Sequence, residues 1–388
     1  MSRWRADRLG QLPPYLFVEI DRRKRAAIEA GKDVIDLGVG DPDSPTPRFI
    51  VDAMAEAIRQ PANHKYALGA GKMEFRRAVA DFCRRRFGVE LDPKTEVLAL
   101  LGSKEGIGHL PTGVINPGDV VLVPQPGYPV YQSGTVFAGG ECHVLPLRAE
   151  SGWLPVLEDI PENVRRRSRL MYLNYPNNPT AACASLEFFA QAVAFARRYG
   201  ILLVQDAAYS ELYFKQAPPS VLQVEGAKDC CIEMHSLSKT FNMTGWRIAF
   251  AVGNAEALAA LATVKSNLDS GIFGAVQQAG TVALTHSDHV EVRAQMDVYR
   301  RRRDIVVSGL RAAGWTVTEP EATFYVWAGT PQGRNSLEAC ARILEEQAVV
   351  LVPGGGFGPC GEGYVRIALT VAEERMREAV GRIARVRW

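Results

Sequence analysis

Long hydrophobic runs are missing from this sequence. No stretch approaches the ~18 uninterrupted apolar residues of a membrane helix, so no membrane partner is expected. A charge excess is missing too: 45 Lys and Arg stand against 43 Asp and Glu, and a net charge of +2 gives no general pull toward nucleic acid. Arginines do gather at Arg84-Arg85-Arg86, Arg165-Arg166-Arg167 and Arg300 to Arg303, in short runs among acids and apolar residues that read as solvated helix faces. The seven cysteines (Cys83, Cys142, Cys183, Cys230, Cys231, Cys340, Cys360) contain no C-x-x-C pair, which argues against zinc and redox dithiols and for reduced, mostly buried thiols. The glycine-rich run from Gly354, which includes the spacing G-x-G-x-x-G at Gly356 to Gly361, sits in the smaller C-terminal unit without the rest of the dinucleotide fingerprint, which argues against a dinucleotide fold. The run Gly354 to Gly358 reads instead as a mobile loop beside a substrate. His286 and His289 have no further ligands in their segment and read as a polar loop, so no metal is expected. The first residues, Met-Ser-Arg-Trp-Arg-Ala-Asp-Arg, have no apolar core behind them, and a cytoplasmic protein is the expectation.

What is present is material for a large core: 388 residues, 47% hydrophobic and 23% charged. Short apolar, β-branched runs recur ahead of polar or glycine residues. They are Val97 to Leu101, Val120 to Val123, Met171 to Leu173, Ile201 to Val204, Ile232 to Met234 and Ile248 to Val252. Such runs fit strands buried on both faces of a sheet. Segments at helical spacing lie between them, for example Leu186 to Tyr199. The alternation predicts an α/β fold on an open, mostly parallel sheet. From Ala255 to Ala313 the pattern turns helical. Trp315 to Val317, Phe324 to Trp327, Val349 to Val352 and Tyr364 to Leu369 then read as strands of a smaller α+β unit. The expected division is an arm with part of the small domain over 1–45, a large domain over 46–280 and a small C-terminal domain over 281–388. Residues 1–45 carry their own helix, Phe17 to Ala30, and the run Val34 to Leu37, expected to pack with the C-terminal unit.

In open α/β sheets ligands bind at the carboxyl ends of the strands. The polar residues there are Gly102-Ser103-Lys104, Asn174 to Asn178, Asp206 with Tyr209, and Ser236 to Lys239. Each has a plain reading: a surface lysine, a helix cap for Asp206, a turn at Asn178-Pro179, a core tyrosine at Tyr128. Together they supply what pyridoxal 5'-phosphate needs. Lys239 offers the amine for a Schiff base. Asp206 can keep the ring nitrogen protonated, which makes the ring an electron sink. Tyr209 and Asn178 can bond the ring oxygen, and Tyr128 can stack on the ring. Gly102, Ser103 and Lys104 open a helix toward the phosphate, with Ser236 and Arg247 adding a hydroxyl and a charged fork.

These segments carry a family resemblance over nearly the whole chain. Asn177-Asn178-Pro179-Thr180, Asp206-Ala207-Ala208-Tyr209 and Ser236-Leu237-Ser238-Lys239 with Arg247 resemble the motifs of the fold-type I, class I/II aminotransferases. The resemblance implies a large, mostly parallel seven-stranded sheet domain plus a smaller α+β domain. It implies that Lys239 is the Schiff-base lysine and general base, that Asp206 binds the ring nitrogen, and that Asn178 and Tyr209 hold the ring oxygen. Ser103, Lys104, Ser236 and Arg247 would line the phosphate, Ser238 would join the cofactor site, and Arg366 would clamp the substrate α-carboxylate. Tyr66 matches the tyrosine that reaches the phosphate of the other subunit's cofactor, which implies a homodimer with shared sites. Substrates would be an amino acid and a 2-oxo acid.

The chain is most similar to the LL-diaminopimelate aminotransferase group, through Pro14 to Ile20, Leu37 to Pro42, Asn174 to Pro179, Asn242 to Arg247 and Tyr364 to Thr370. That likeness puts Tyr15 and Gly40 beside the substrate. Two departures stand out. The turn from Tyr66 to Gly71 has no acid where the group usually carries a glutamate for the distal amino group. Ala181 replaces the glycine of Asn-Pro-Thr-Gly, and strain follows if that backbone needs positive φ. The segment Val264 to Gly271, where dicarboxylate-specific relatives carry an arginine, offers Lys265 and Asn267. Carbon–sulfur β-lyases and cyclopropane-carboxylate-type synthases share the fold and stay open as alternatives. A transcription regulator would need a winged-helix segment that the ~30 residues before the first strand do not hold.

Overall fold

The computed structural model describes residues 4–12 and 16–388. Tyr15 lies outside them. Within the described residues the strands are β1 (Ile35–Asp36), β2 (Val97–Leu100), β3 (Val120–Gln125), β4 (Glu141–Pro146), β5 (Ser168–Asn174), β6 (Leu202–Asp206), β7 (Cys231–Ser236), β8 (Ala249–Gly253), β9 (Tyr325–Gly329), β10 (Val349–Val350), β11 (Val352–Pro353) and β12 (Tyr364–Ala368). Seven of them form one sheet in the order β2-β8-β7-β6-β5-β3-β4. From β4 through β7 the neighbours run parallel, and β8 runs antiparallel to both β7 and β2.

Alternation explains why these strands read as continuous apolar runs. Successive side chains point to opposite faces, and both faces are covered. Val97 and Ala99 join a core with Phe75, Phe82 and Phe189, while Leu98 and Leu100 join a second core with Ile107, Leu110 and Tyr131. β4 does not appear among the sequence-predicted strands. It is the edge strand, with Glu141 and Val144 exposed, so it lacks the apolar run of a doubly covered strand.

The smaller unit is built on the antiparallel sheet β11-β12-β9, with the helices Val290–Ala312, Ser336–Gln347 and Glu373–Ile383. β1 pairs in parallel with β10, so residues 35–36 are stitched to this unit. Arg302 strengthens that link through a two-pronged bond to Asp43 (2.7 and 2.8 Å) and a bond to Leu369 O. The expected solvated face over Arg300 to Arg303 is therefore corrected: Arg302 and Arg303 are buried, each held by a carboxylate. The expected strand at Trp315 to Val317 reduces to one bridge, Val317 to Ala328. Val349 to Val352 is two strands rather than one, because the backbone changes partner at Leu351 from β1 to β12. Gly354 to Phe357 is a 3-10 turn with Phe357 buried and its carbonyl bonded by Gly127 N, where the sequence suggested a mobile loop. No described helix is long and apolar enough to cross a membrane.

Candidate active site

The parallel register of β5, β6 and β7 decides where the polar residues meet. Asn174 pairs with Asp206, and Asp206 with Met234, so the three strands release Asn174, Asp206 and Ser236 side by side at their carboxyl ends. Ser236 caps the helix Leu237–Thr240, its Oγ accepting from Ser238 N (3.2 Å). This single turn projects Lys239, whose Nζ donates to Gly40 O (2.7 Å). Burial lowers the amine to a pKa of about 8. Asp41 pulls it upward, while Arg366 and Arg247 press it down. Such an amine is largely neutral under mildly alkaline conditions, as a nucleophile or base must be.

Asp206 is fully buried. Its Oδ2 accepts from Tyr131 OH (2.8 Å) and its Oδ1 from Ala208 N (3.3 Å). Burial raises its pKa to about 6, and those two bonds together with His235 pull it partly back. A buried carboxylate held by a phenol and a backbone N–H suits a ligand that brings a protonated nitrogen. Asn174 organises the neighbourhood: its Nδ2 donates to Asp206 O (2.7 Å), and its Oδ1 accepts from Asn178 N (2.8 Å). Tyr209 OH lies 3.2 Å from Tyr325 OH, and burial pushes the Tyr209 phenol well up.

The phosphate end can be tested on Gly102. Its φ is +85°, and a Cβ there would stand 2.0 Å from Arg247 Nη2, so only glycine lets the guanidinium reach the start of the helix Ser103–Val114. Ser103, Lys104, Tyr128, Asn178, Asp206, Tyr209, Ser236, Ser238, Lys239, Arg247, Gly40 and Arg366 all line one cavity of about 400 Å³. The donors, the buried carboxylate and the glycine cradle fit a pyridine ring bearing a phosphate. Arg366 is buried at the far end. Its Nη1 donates to Asn178 Oδ1 (2.9 Å) and its Nη2 to Gly38 O (2.7 Å). A wider open cleft of about 750 Å³ lies behind Thr240, lined by Arg86, Glu211, Asp297 and Arg300 among others. Its charges include the pairs Arg86–Glu211 and Arg300–Asp297, and it holds no lysine.

Several residues fall elsewhere. Tyr66 is 82% exposed and does not line the cavity. Lys265 is buried between Glu105 and Asp269 (2.9 and 3.0 Å), and Asn267 bonds its own helix at Thr263 O. Ala181 adopts φ +60°, the left-handed conformation that a glycine would hold more cheaply. Sequence reasoning missed Tyr131 and Tyr325. Tyr131 sits three residues past Tyr128, in the first turn of the helix Val130–Phe137, and the two rings meet edge to face with centroids 5.9 Å apart. Tyr325 was hidden inside an apolar strand.

Comparison with known proteins agrees with this chemistry. The pattern of the "Aminotransferase class I and II" family matches residues 32–383. An LL-diaminopimelate aminotransferase of Aquifex aeolicus is 54% identical over 379 residues, 97% of this chain and 98% of that protein. One from Nitratidesulfovibrio vulgaris is 52% identical over 98% of each chain. Among solved structures, substrate-bound BacF of Bacillus subtilis superposes with a TM-score of 0.94 at 38% identity, covering 99% of this chain and 98% of that one. A Thermus thermophilus aspartate aminotransferase variant superposes with a TM-score of 0.93 at 30% identity over the whole of both chains. A family match over residues 32–383 and relatives more than half identical over almost the full length place the chain in the pyridoxal-phosphate-dependent class I and II aminotransferases of fold type I, the family to which it belongs.

Proposed function

We propose that this aminotransferase moves the amino group of LL-diaminopimelate to 2-oxoglutarate, with Lys239 carrying the cofactor. The convergence of Lys239, Asp206 and Arg366 on one cavity carries the reading of the site, and the 54% identical relative supports the donor. Bound pyridoxal phosphate supplies an electron sink for the pair left at Cα when its proton departs. Arg366 grips the substrate α-carboxylate with its planar fork, already oriented by Asn178 and Gly38 O. Lys239 Nζ, once free of the cofactor, would act as the base that takes the proton from the substrate Cα. Asp206 keeps the ring nitrogen protonated, Tyr209 and Asn178 bond the ring oxygen, and Tyr128 covers the ring. Gly102, Ser103, Lys104, Ser236, Ser238 and Arg247 hold the phosphate.

One observation favours a second donor class. The turn Tyr66 to Gly71 has no acid to receive a distal ammonium group, which suits a donor with an uncharged side chain. The half-reaction separates the two. The holoenzyme is mixed with single amino acids, no 2-oxo acid is added, and its visible absorbance is followed. LL-diaminopimelate is expected to bleach the band fastest. Faster bleaching by alanine or an aromatic amino acid would select the second class. Ammonia release without any need for 2-oxoglutarate would replace an aminotransferase by a lyase.

The same turn supports a homodimer with shared sites. Tyr66 (82%), Leu68 (73%) and Leu268 (62%) are large apolar side chains left in water. Ala67 O sits where a Cβ of Gly271 would stand (2.1 Å), so the two segments form one face. Light scattering is expected to find two chains per particle; full activity in a monomer would remove this reading.

A further inference from the structure

Tyr325 belongs to β9 of the smaller unit, yet it touches three things that matter at the site. Its hydroxyl is 3.2 Å from the hydroxyl of Tyr209, which comes from the loop after β6 in the large unit. Its ring lies under the Arg366 guanidinium, 4.3 Å from ring centre to Cζ, with Phe357 at 4.9 Å. Its hydroxyl also occupies the space beside Gly40: a Cβ at residue 40 would stand 1.9 Å from Tyr325 Oη. Gly40 is the residue whose carbonyl receives Lys239 Nζ.

Strand geometry places these contacts. On β9 and β12, Tyr325 pairs with Ala368 and Trp327 with Arg366, and residues two apart share a face. Tyr325 therefore lies on the sheet face from which Arg366 projects. It is 3% exposed and lines the same cavity as Tyr209 and Arg366. A core tyrosine that only filled space would leave its hydroxyl unbonded or bonded to nearby backbone. This one is spent on a phenol that faces the cofactor cavity.

We propose that Tyr325 is a positioning residue that couples the two ends of the site: its hydroxyl donates to Tyr209, and its ring fixes the plane of Arg366. This rests on the roles proposed above for Tyr209 and Arg366. The direction of the hydrogen bond follows from those roles. If Tyr209 gives its proton to the cofactor's ring oxygen, its own oxygen remains as an acceptor, and Tyr325 is the donor in reach. A Tyr209 that accepts such a bond is a stronger donor in turn. Ring-oxygen stabilisation would then depend on a strand of the smaller unit, and so would the hold on the substrate carboxylate.

Two variants separate hydroxyl from ring. Tyr325→Phe keeps the ring, and Tyr325→Leu removes both. The first readout uses the holoenzyme without substrate: its visible absorbance is titrated against pH. The charged and titratable groups facing Tyr209 are Arg366, Asp206 and Tyr325, and none but Tyr325 is altered. A weaker Tyr209 bond leaves the cofactor's oxygen more basic, so both variants are expected to raise the midpoint by about half to one pH unit, the worth of one hydrogen bond. The second readout is KM for whichever amino donor the half-reaction selects. It is expected to stay within about twofold in Tyr325→Phe and to rise about tenfold in Tyr325→Leu, the range of a buried cation–π contact. An unchanged midpoint in Tyr325→Phe overturns the hydroxyl half of the proposal, and equal KM values in the two variants overturn the ring half. A double cycle guards against a general loosening of the site. In a Tyr209→Phe background the Tyr325→Phe change should add no further shift, and an undiminished shift there would show that Tyr325 does not act through Tyr209. Should no amino acid alter the spectrum of the wild-type enzyme, the proposed function fails, while the titration still tests the hydroxyl.

Discussion

Replacing Lys239 by alanine is expected to lower transamination at least ~10⁴-fold, the upper end of what a positioned base contributes. The geometry concentrates two duties on one atom. Among the described residues Nζ is the amine that reaches the cavity from the strand ends beside Asp206, and it is held on Gly40 O at 2.7 Å. The other lysine of the cavity, Lys104, is exposed at the opening of the helix Ser103–Val114, where it can serve a phosphate. The loss is measured as single-turnover decay of the cofactor absorbance with donor in excess; retention of wild-type turnover would remove Lys239 from the mechanism. The same amine sets a pH dependence. Only its neutral form attacks a carbonyl, and burial brings its pKa down to about 8. Uptake of pyridoxal phosphate by wild-type apoprotein should therefore quicken as pH rises and level off above about 8. An ordinary exposed lysine would keep accelerating toward pH 10.

The second large effect is expected at Asp206. Asp206→Asn keeps the shape and an oxygen for Tyr131 OH, yet it removes the charge that holds a proton on the ring nitrogen. Breaking a buried charge pairing by deleting one partner costs about 3–5 kcal/mol, so kcat should fall by two to four orders of magnitude. A fall below tenfold would mean that the ring nitrogen needs no carboxylate here. Stability of the apoprotein should move the other way. Because burial raises the folded-state pKa of Asp206 to about 6, its favourable contribution is complete below the unfolded value of 3.8 and is lost as pH rises through 6. The Asn variant does not titrate. Its apoprotein should melt above the wild-type apoprotein at pH 7 and beyond, and the gap should close below pH 4. Activity and stability are opposed at this residue, as they commonly are where a charge is buried for chemistry.

How much of this was legible in the sequence depends on burial. A strand covered on both faces, such as β6, opens as an apolar run that ends abruptly, so Asp206 was marked by contrast, whereas β7 also buries Glu233 and His235 and the Ser236–Lys239 turn was marked by its motif. β4 gives no such contrast because one edge of it meets water. Tyr131 and Tyr325 were illegible for the opposite reason. Each sits in an apolar segment where a tyrosine reads as core, and its role depends on a partner 75 or 116 residues away. Arg302 misled in a similar way. Among four successive arginines it looked solvated, and only the approach of Asp43, 259 residues distant, explains its burial.

Those separations bear on how the chain is made. β1 pairs with β10, Asp43 with Arg302, and Gly38 O with Arg366 Nη2 across 328 residues. During synthesis the segment 35–43 precedes these partners by 259 to 328 residues and must wait for them to emerge. A chain cut off after β8 would carry Lys239, Asp206 and Arg247 without Arg366. Colour from bound cofactor would then report a nascent sheet, and tight binding of an amino acid would certify that translation had passed β12.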